Sequence, residues 1–365
     1  MSLPLPPQKF TALLLHWYAK HKRSLPWRQT KDPYKIWISE IILQQTRVAQ
    51  GLSYYERFVA QYPTLRDLAV ADLQEVMRLW QGLGYYSRVR NLHACARWVC
   101  DAMNGHFPTT YAALRTLKGV GPYTAAAIAS FAFGEAVAVV DGNVYRVLSR
   151  VFDIRAEVGS STGNRHFENA AQQLLPEEHA DTYNQAIMEF GALQCTPKPQ
   201  CASCPLQMCC AAYQQGSVLE LPVKRRPPSR KRRFFHYLVL MSQGKDFLYM
   251  RPRASSRDIW HGLYDFYLVE TSQNVGFSDL CVDPMFAAAA ACGLLERSIH
   301  TTHRHILTHQ ELQLNFTAVY VTAAFIRAAA QLMEAAALQA YDISQVDQLP
   351  KPMAIEKFLK AHFYV

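Results

Sequence analysis

The sequence predicts two domains, an all-α domain followed by an α+β domain, and three observations carry that expectation. At 365 residues the chain is longer than one typical domain. Half of its residues are hydrophobic and 18% are charged, a globular composition with ample material for a core. The patterning also changes across residues 222–233, from helical spacing before them to aromatic and β-branched runs after them.

Residues 8–221 read mainly as helices. The clearest begins at Asp32-Pro33, because Asp is a good N-cap and Pro suits the first helical position. Ile36, Trp37, Ile41 and Val48 then follow at near-helical spacing, which predicts a helix over 34–48. Helices are also expected over 52–61, 72–80, 88–103, 123–133 and 164–175, punctuated by prolines and glycine pairs. The segment PVKRRPPSRKRR at 222–233 has no apolar face to bury and is expected to be a linker. Beyond it, 235–241, 247–251, 263–269 and 312–321 read as strands, and the alanine-rich 286–295 and 323–340 as helices. The expected domains are therefore 1–221 and 234–365, with no internal repeat. No apolar run approaches the roughly 20 residues of a membrane span. The proline-rich start, Met1 to Phe10, lacks a signal peptide's apolar core. An intracellular, cytoplasmic protein is expected.

The net charge is +9, and the linker alone carries 7 basic residues and no acidic one. Residues 1–221 hold 21 Lys and Arg against 17 Asp and Glu, whereas 234–365 hold 10 against 12. A polyanion fits this distribution, since neutralised phosphates release counterions. A charge run is more often merely solvated, so charge alone does not decide the matter.

Four motifs carry chemistry. The strongest is Cys195-x5-Cys201-x2-Cys204-x5-Cys210, with Pro197, Pro199 and Pro205 shaping the loop. Thiols bunched this tightly in an intracellular chain argue for a metal centre rather than disulfides. Spacing alone does not separate zinc from an iron–sulfur cluster, and Cys209 competes with Cys210 as fourth ligand. Cys95, Cys100, Cys281 and Cys292 are scattered and read as inert. Next, Leu117-Lys-Gly-Val-Gly121 followed by Pro122-Tyr123 reads as helix, glycine hairpin, helix. Gly119 and Gly121 allow close backbone approach, and the second helix's N-terminus suits a phosphate. An isolated pattern of this kind is usually an ordinary tight turn.

Third, Asp141-Gly-Asn143 follows the apolar run 136–140 and precedes a helix-like stretch, so Asp141 is a natural N-cap. Most such residues only cap, but the helix dipole would keep Asp141 ionised, as a group facing a developing cation must be. Fourth, Glu40 sits among Ile38, Ile41 and Ile42, where desolvation raises a carboxyl towards an acid's working range. Gln44 lies one turn on. One protonated and one ionised carboxyl are what cleavage of a glycosidic bond uses.

Taken together, these residues resemble the A/G-specific adenine DNA glycosylases of the helix–hairpin–helix, endonuclease III-like superfamily. The resemblance runs through Leu25-Pro-Trp-Arg28, Trp37-Ile-Ser-Glu-Ile-Ile-Leu-Gln-Gln-Thr46, Gly82-Leu-Gly-Tyr-Tyr86, the hairpin, Val140-Asp-Gly-Asn143 and the cysteine loop. It implies a helix–hairpin–helix glycosylase domain with a [4Fe–4S] cluster on Cys195, Cys201, Cys204 and Cys210, and a Nudix-like C-terminal domain. It further implies that Glu40 protonates adenine and that Asp141 stabilises or transiently bonds the sugar, with Tyr123 and Asn143 supporting them. Gln45 and Tyr85 match residues that wedge into the base stack, and Trp27, Arg28 and Glu189 match the adenine pocket. The implied partner is duplex DNA with adenine opposite 8-oxoguanine or guanine, bound by a monomer that flips the base out.

Relatives that also cut the strand carry a nucleophilic Lys where this chain has Tyr123, so a monofunctional enzyme is expected. Two departures stand out: the first cysteine spacing is x5 rather than the usual x6, and the family's Phe-Ser-His loop reads Leu307-Thr308-His309. Asp258-Ile-Trp-His-Gly-Leu-Tyr264 stands where the family has it, but 287–297 contains only Glu296, too few carboxylates for Nudix hydrolysis. A bifunctional pyrimidine glycosylase is disfavoured by Tyr123. A purely DNA-binding protein is disfavoured by Glu40 and Asp141.

Overall fold

The computed structural model describes residues 5–225, 229–255 and 258–363. The middle of the expected linker, 226–228, lies outside them, as do residues 1–4, 256–257 and 364–365 at the ends of and within the two expected domains. The chain divides into two compact units, one of Met1–Val70 with Asn91–Arg226 and one of Ala71–Arg90 with Pro227–Val365. The expected division was contiguous, so the assignment of Ala71–Arg90 to the second unit is a new finding.

The first unit is helical, and its helices start where short polar side chains meet free backbone N–H groups. Asp32 accepts from Tyr34 N ahead of Pro33–Leu43, and Ser160 accepts from Gly163 N ahead of Ser161–Leu174. Pro122 takes the first position of Pro122–Phe133, where its missing N–H costs nothing. The helix expected over 34–48 ends early, at Leu43, and the next is Val48–Gln61. Gln45 between them has φ +58°, a left-handed conformation that no α-helix contains. Phe10, Leu14, Val147, Leu148, Phe167, Ile187 and Phe190 are buried together in this unit's core.

The second unit is built on a seven-stranded sheet: β1 (Lys231–Met241), β2 (Phe247–Pro252), β3 (Tyr264–Asp265), β4 (Tyr267–Thr271), β5 (Ile299–Ile306), β6 (Gln310–Tyr320) and β7 (Gln339–Asp342). The order is β3-β2-β1-β6-β5, with β4 also beside β1 and β7 beside β2. β1 and β6 are parallel, from Lys231 opposite Gln310 to Met241 opposite Tyr320, and the other pairs are antiparallel. Both faces of β1 are covered, which is why Tyr237–Met241 is a continuous apolar run rather than an alternation. Phe235, Tyr237 and Val239 join Phe316, Phe358 and Leu359 on one side; Leu238 and Leu240 join Phe286, Phe325 and Met333 on the other. Helix Met353–His362 closes the first side, and Pro284–Ala291 with Ala323–Ala335 closes the second.

Three expectations need correction. The linker ends earlier than 233, because β1 begins at Lys231 and Arg233 is buried within it. The planar Arg233 guanidinium reaches Asp258 and Glu270, each at 2.6 Å, and those carboxylates make its burial tolerable. The helix expected over 323–340 stops at Ala335, with Ala337 at φ +54°, and Gln339–Asp342 pairs with β2 instead. β5 was not expected at all, since its sequence IHTTHRHI is polar and largely exposed at the sheet's edge.

Phe316 stacks on Tyr237 at 5.1 Å and on Phe358 at 4.3 Å, so it joins the sheet to its covering helix. Phe316→Ala should cost about 3–5 kcal/mol of stability. Urea unfolding of the full chain measures this, and a loss below about 1 kcal/mol would contradict the packing described.

Candidate active site and cysteine centre

Every residue from Ile36 to Ile42 is buried, Glu40 among them at 5% exposure. The Tyr123 hydroxyl, on the helix after the glycine hairpin, donates to Glu40 Oε2 at 2.6 Å. Burial pushes the Glu40 carboxyl up to about 7. Tyr123 and Arg28 pull it down, and the charge on Asp141 pushes it up. Burial also holds the Tyr123 phenol well above its ordinary value, so it remains the donor.

Asp141 caps helix Gly142–Val151 as the sequence predicts. Its Oδ1 accepts from Asn143 N and Val144 N, both at 2.8 Å, and its Oδ2 accepts from Asn143 Nδ2 at 2.6 Å. Burial raises its pKa above the usual aspartate value against these donors and against Arg146, an opposition the sequence did not reveal. Glu189 is almost fully buried. Arg23 Nε and Nη2 donate to it at 2.8 and 2.6 Å, and Arg28 Nη2 donates at 2.8 Å. Burial alone would raise its carboxyl, but these guanidinium bonds outweigh it and hold Glu189 at about 2.

These groups face one another. A cavity of about 160 Å³ is lined by Trp27, Arg28, Glu40, Tyr123, Asp141 and Glu189, among others. Asn143 and Gln185 also border it, and Tyr18 donates its hydroxyl proton to Gln185. The structure thus brings together, in one cavity, the residues assigned to acid, cation stabiliser and base pocket. Among the described residues, the lining includes no lysine.

The other expected site residues lie elsewhere. Gln45 is exposed, and both it and Tyr85 have left-handed backbones, φ +58° and +48°. Such conformations in bulky residues collect at functional sites. Gly119 needs its glycine, having φ +80° and leaving a Cβ only 2.8 Å from Asn91 Cβ. Gly121 has an ordinary φ of −83° and open space before it, so the expected conformational need falls on Gly119 alone. In the second unit, Leu307, Thr308 and His309 form the turn between β5 and β6. The Thr308 hydroxyl hydrogen-bonds the Tyr85 hydroxyl there. These residues border a cavity of about 470 Å³ with Tyr86, Trp260 and His305.

Cys195, Cys201, Cys204 and Cys210 line a small cavity of about 20 Å³, and Cys209 does not. Burial pushes Cys204 up to about 12 and raises Cys195 and Cys210, and the four thiols act electrostatically on one another. Among the described residues, no group of three or more His, Cys, Asp or Glu side chains is set to hold a single metal ion.

Three arginines went unnoticed in the sequence. Arg23 anchors Glu189. Arg146 Nη2 donates to Asn143 Oδ1 and to Gly191 O, both at 2.7 Å, while its Nε donates to Cys195 O at 3.1 Å. Arg150, 2% exposed, donates to Cys195 Sγ at 3.4 Å, to Thr196 O at 2.7 Å and to Leu221 O at 3.1 Å. The available signal was two arginines four residues apart among Val147, Leu148 and Val151, on a helix otherwise facing the core.

A helical unit with a hairpin and a carboxylate-lined cavity defines a class. Residues 38–177 match the family model described as HhH-GPD superfamily base excision DNA repair protein. A solved structure titled "Structure of a non-covalent Endonuclease III-DNA Complex" aligns with TM-score 0.50 and 25% identity, over 58% of this chain and 98% of that one. The adenine DNA glycosylase of Buchnera aphidicola subsp. Baizongia pistaciae (strain Bp) is 34% identical over 267 residues, 70% of this chain and 73% of that protein. The adenine DNA glycosylase of Mus musculus is 47% identical over 226 residues, 58% of this chain. The chain belongs to the adenine DNA glycosylase family. The aligned region spans only 44% of the length of the mouse relative.

Helix Ala180–Leu193 passes so close to Asn143 that a Cβ on Gly191 would sit 2.6 Å from Asn143 O and 2.7 Å from Asn143 Cβ. Gly191→Ala should therefore lose about 1–3 kcal/mol to overpacking, seen in thermal unfolding of the full chain. Adding Asn143→Gly should not restore stability, because the backbone oxygen still clashes. Full rescue would show that only the side chain is crowded.

Proposed function

We propose that the protein is a monofunctional glycosylase that hydrolyses the bond between adenine and deoxyribose, where adenine faces 8-oxoguanine or guanine in duplex DNA. The observation that carries this reading is that Glu40 and Asp141 line one cavity, Glu40 held by a single tyrosine hydroxyl and Asp141 by three N–H donors. Glu40, raised to about 7 by burial, retains its proton in a large fraction of molecules near neutral pH, available for the leaving base. Asp141 receives three hydrogen bonds at a helix N-terminus, which favour its charged form beside a cationic sugar. In the proposed step Glu40 gives its proton to adenine as the C1′–N9 bond breaks with its electron pair leaving on the base. Water then adds to C1′ and its proton returns to the protein. Glu189 with Arg23 and Arg28 offers a fixed array of charges for recognising the base edge, and Trp27 offers an aromatic surface. Tyr123 holds Glu40, and the described lining offers no lysine amine to form a Schiff base and cut the strand.

In the second unit the turn Leu307–Thr308–His309 is read as Nudix-like and lesion-facing, with Tyr85 beside it as a wedge into the base stack. The Tyr85–Thr308 hydrogen bond and the cavity around it favour this reading. The family implies a [4Fe–4S] cluster, and the thiols of Cys195, Cys201, Cys204 and Cys210 fit it, because all four line one cavity and a cluster takes four thiolates around it. When bound, the cluster would serve as a redox-quiet brace for its loop. Arg150 and Arg146 tie that loop to the helix that Asp141 caps.

The deciding assay incubates duplexes containing adenine opposite 8-oxoguanine, guanine or thymine and scores free adenine before and after hot alkali. Glu40→Gln should reduce adenine release by roughly 100- to 10,000-fold while mispair binding persists. In the unaltered protein, single-turnover release should fall as pH rises through about 7, where Glu40 loses its proton. It should also fall at low pH, as Asp141 gains one, giving a bell-shaped profile. A flat profile with near-normal Glu40→Gln turnover would remove Glu40 from the mechanism.

The cluster has its own test. Cys210→Ser should bleach visible absorbance or destabilise the protein, and Cys209→Ser should do neither. The reverse result would make Cys209 the fourth ligand.

A further inference from the structure

The sequence's basic run does not end in solvent. Its last residues enter the sheet, and the register shows where their charges go. Lys231 pairs with Gln310 and Arg232 with Glu311, and Lys231 N donates to His309 O at 3.0 Å. The run therefore docks against the turn that carries Leu307, Thr308 and His309. Arg230 and Lys231 are exposed, the Arg232 side chain is 74% exposed, and Arg304 on β5 is 65% exposed. Glu311 sits among them: Arg304 Nε and Nη2 hold it at 2.9 and 3.0 Å, and Arg232 Nε stands 3.9 Å away. Arg304, Arg232 and Arg230 together hold the Glu311 carboxyl below its ordinary value. Three arginines thus share the Glu311 carboxylate at one end of the sheet, with Lys231 exposed beside them.

We propose that Arg230 and Arg232, with Arg304 beside them, form a phosphate-binding edge that grips the DNA backbone next to the Leu307–His309 turn. The inference rests on the reading of a DNA-acting protein but not on adenine chemistry. Exposed guanidinium groups in excess over the carboxylate they share suit a polyanion, whose phosphates they contact without reading sequence. A strand end fixes their spacing, which a solvated linker would not. Arg233, the next basic residue, faces the sheet interior and spends its charge on Asp258 and Glu270, so it is outside the edge.

The test measures equilibrium binding of the full chain to an undamaged duplex across a salt series, for Arg230→Gln/Arg232→Gln and for Lys245→Gln/Arg327→Gln. Both doubles remove two positive charges. Lys245 follows the far end of β1, an 11-residue strand of roughly 35 Å, and Arg327 follows the far end of β6. The first double should lower the slope of log affinity against log salt by about 1.8, from two lost phosphate contacts. Between 50 and 200 mM salt that is a loss of affinity roughly 12-fold smaller than that of the unaltered protein. The control double should leave the slope near that of the unaltered protein. Equal slope changes in both doubles would reduce the effect to net charge and overturn the proposal. An unchanged slope in the first double would also overturn it, leaving the edge to an acidic protein segment. Because the duplex contains no mispair and nothing is cleaved, a failure of the adenine reading would leave this result standing.

Discussion

Asp141 at the N-terminus of helix Gly142–Val151 is the contact on which the rest of the first unit's site depends. The carboxylate closes the helix's free N–H groups and lies on the wall of the cavity that also holds Glu40. Because it is fixed there, Asn143, Arg146 and Arg150 leave the same helix at set angles. Asn143 returns to Asp141, Arg146 reaches Gly191 and the cysteine loop, and Arg150 binds that loop at several carbonyls. The absence of a side chain at Gly191 lets the neighbouring helix close on this arrangement. A capping interaction, ordinarily a matter of about 1 kcal/mol, here stands between the cavity and the cysteine loop.

Much of this was legible in the sequence, for reasons specific to each residue. Asp32, Asp141 and Pro122 announce helix starts because capping is local chemistry, decided within three residues. Glu40 was legible because its neighbours are isoleucines, and burial did raise its pKa. Arg23, Arg146 and Arg150 were not legible, because an arginine reads as a surface residue until its partners are known, and apart from Gly142 and Asn143 those partners are 45 or more positions away. The early end of the helix at Leu43 was hidden for a similar reason: nothing in Gln44-Gln45 marks a left-handed residue.

The second unit shows the same division. β1 was legible as a strand from Phe235 onward, because it is buried on both faces and Tyr237–Met241 is therefore continuously apolar. β5 was not, because an edge strand carries the composition of a surface. The charge of Arg233 argued for solvent, yet two carboxylates from distant positions make burial the better state. Sequence reading singled out residues that the structure groups in shared cavities, and it missed their long-range polar partners.

The membership of Ala71–Arg90 bears on how separable the two halves of this protein are. Tyr86 donates to Lys351 O, Gln81 accepts from Lys351 N, and Arg90 donates to His261 O. A cut in the basic run would leave all three of these early residues facing groups that had gone. The basic run is therefore not by itself the boundary between the compact units, because Ala71–Arg90 belongs with the residues that follow it. Exchange of the C-terminal portion between relatives, by recombination or by design, would succeed only if the incoming segment presented the same carbonyls and amides to residues 81, 86 and 90.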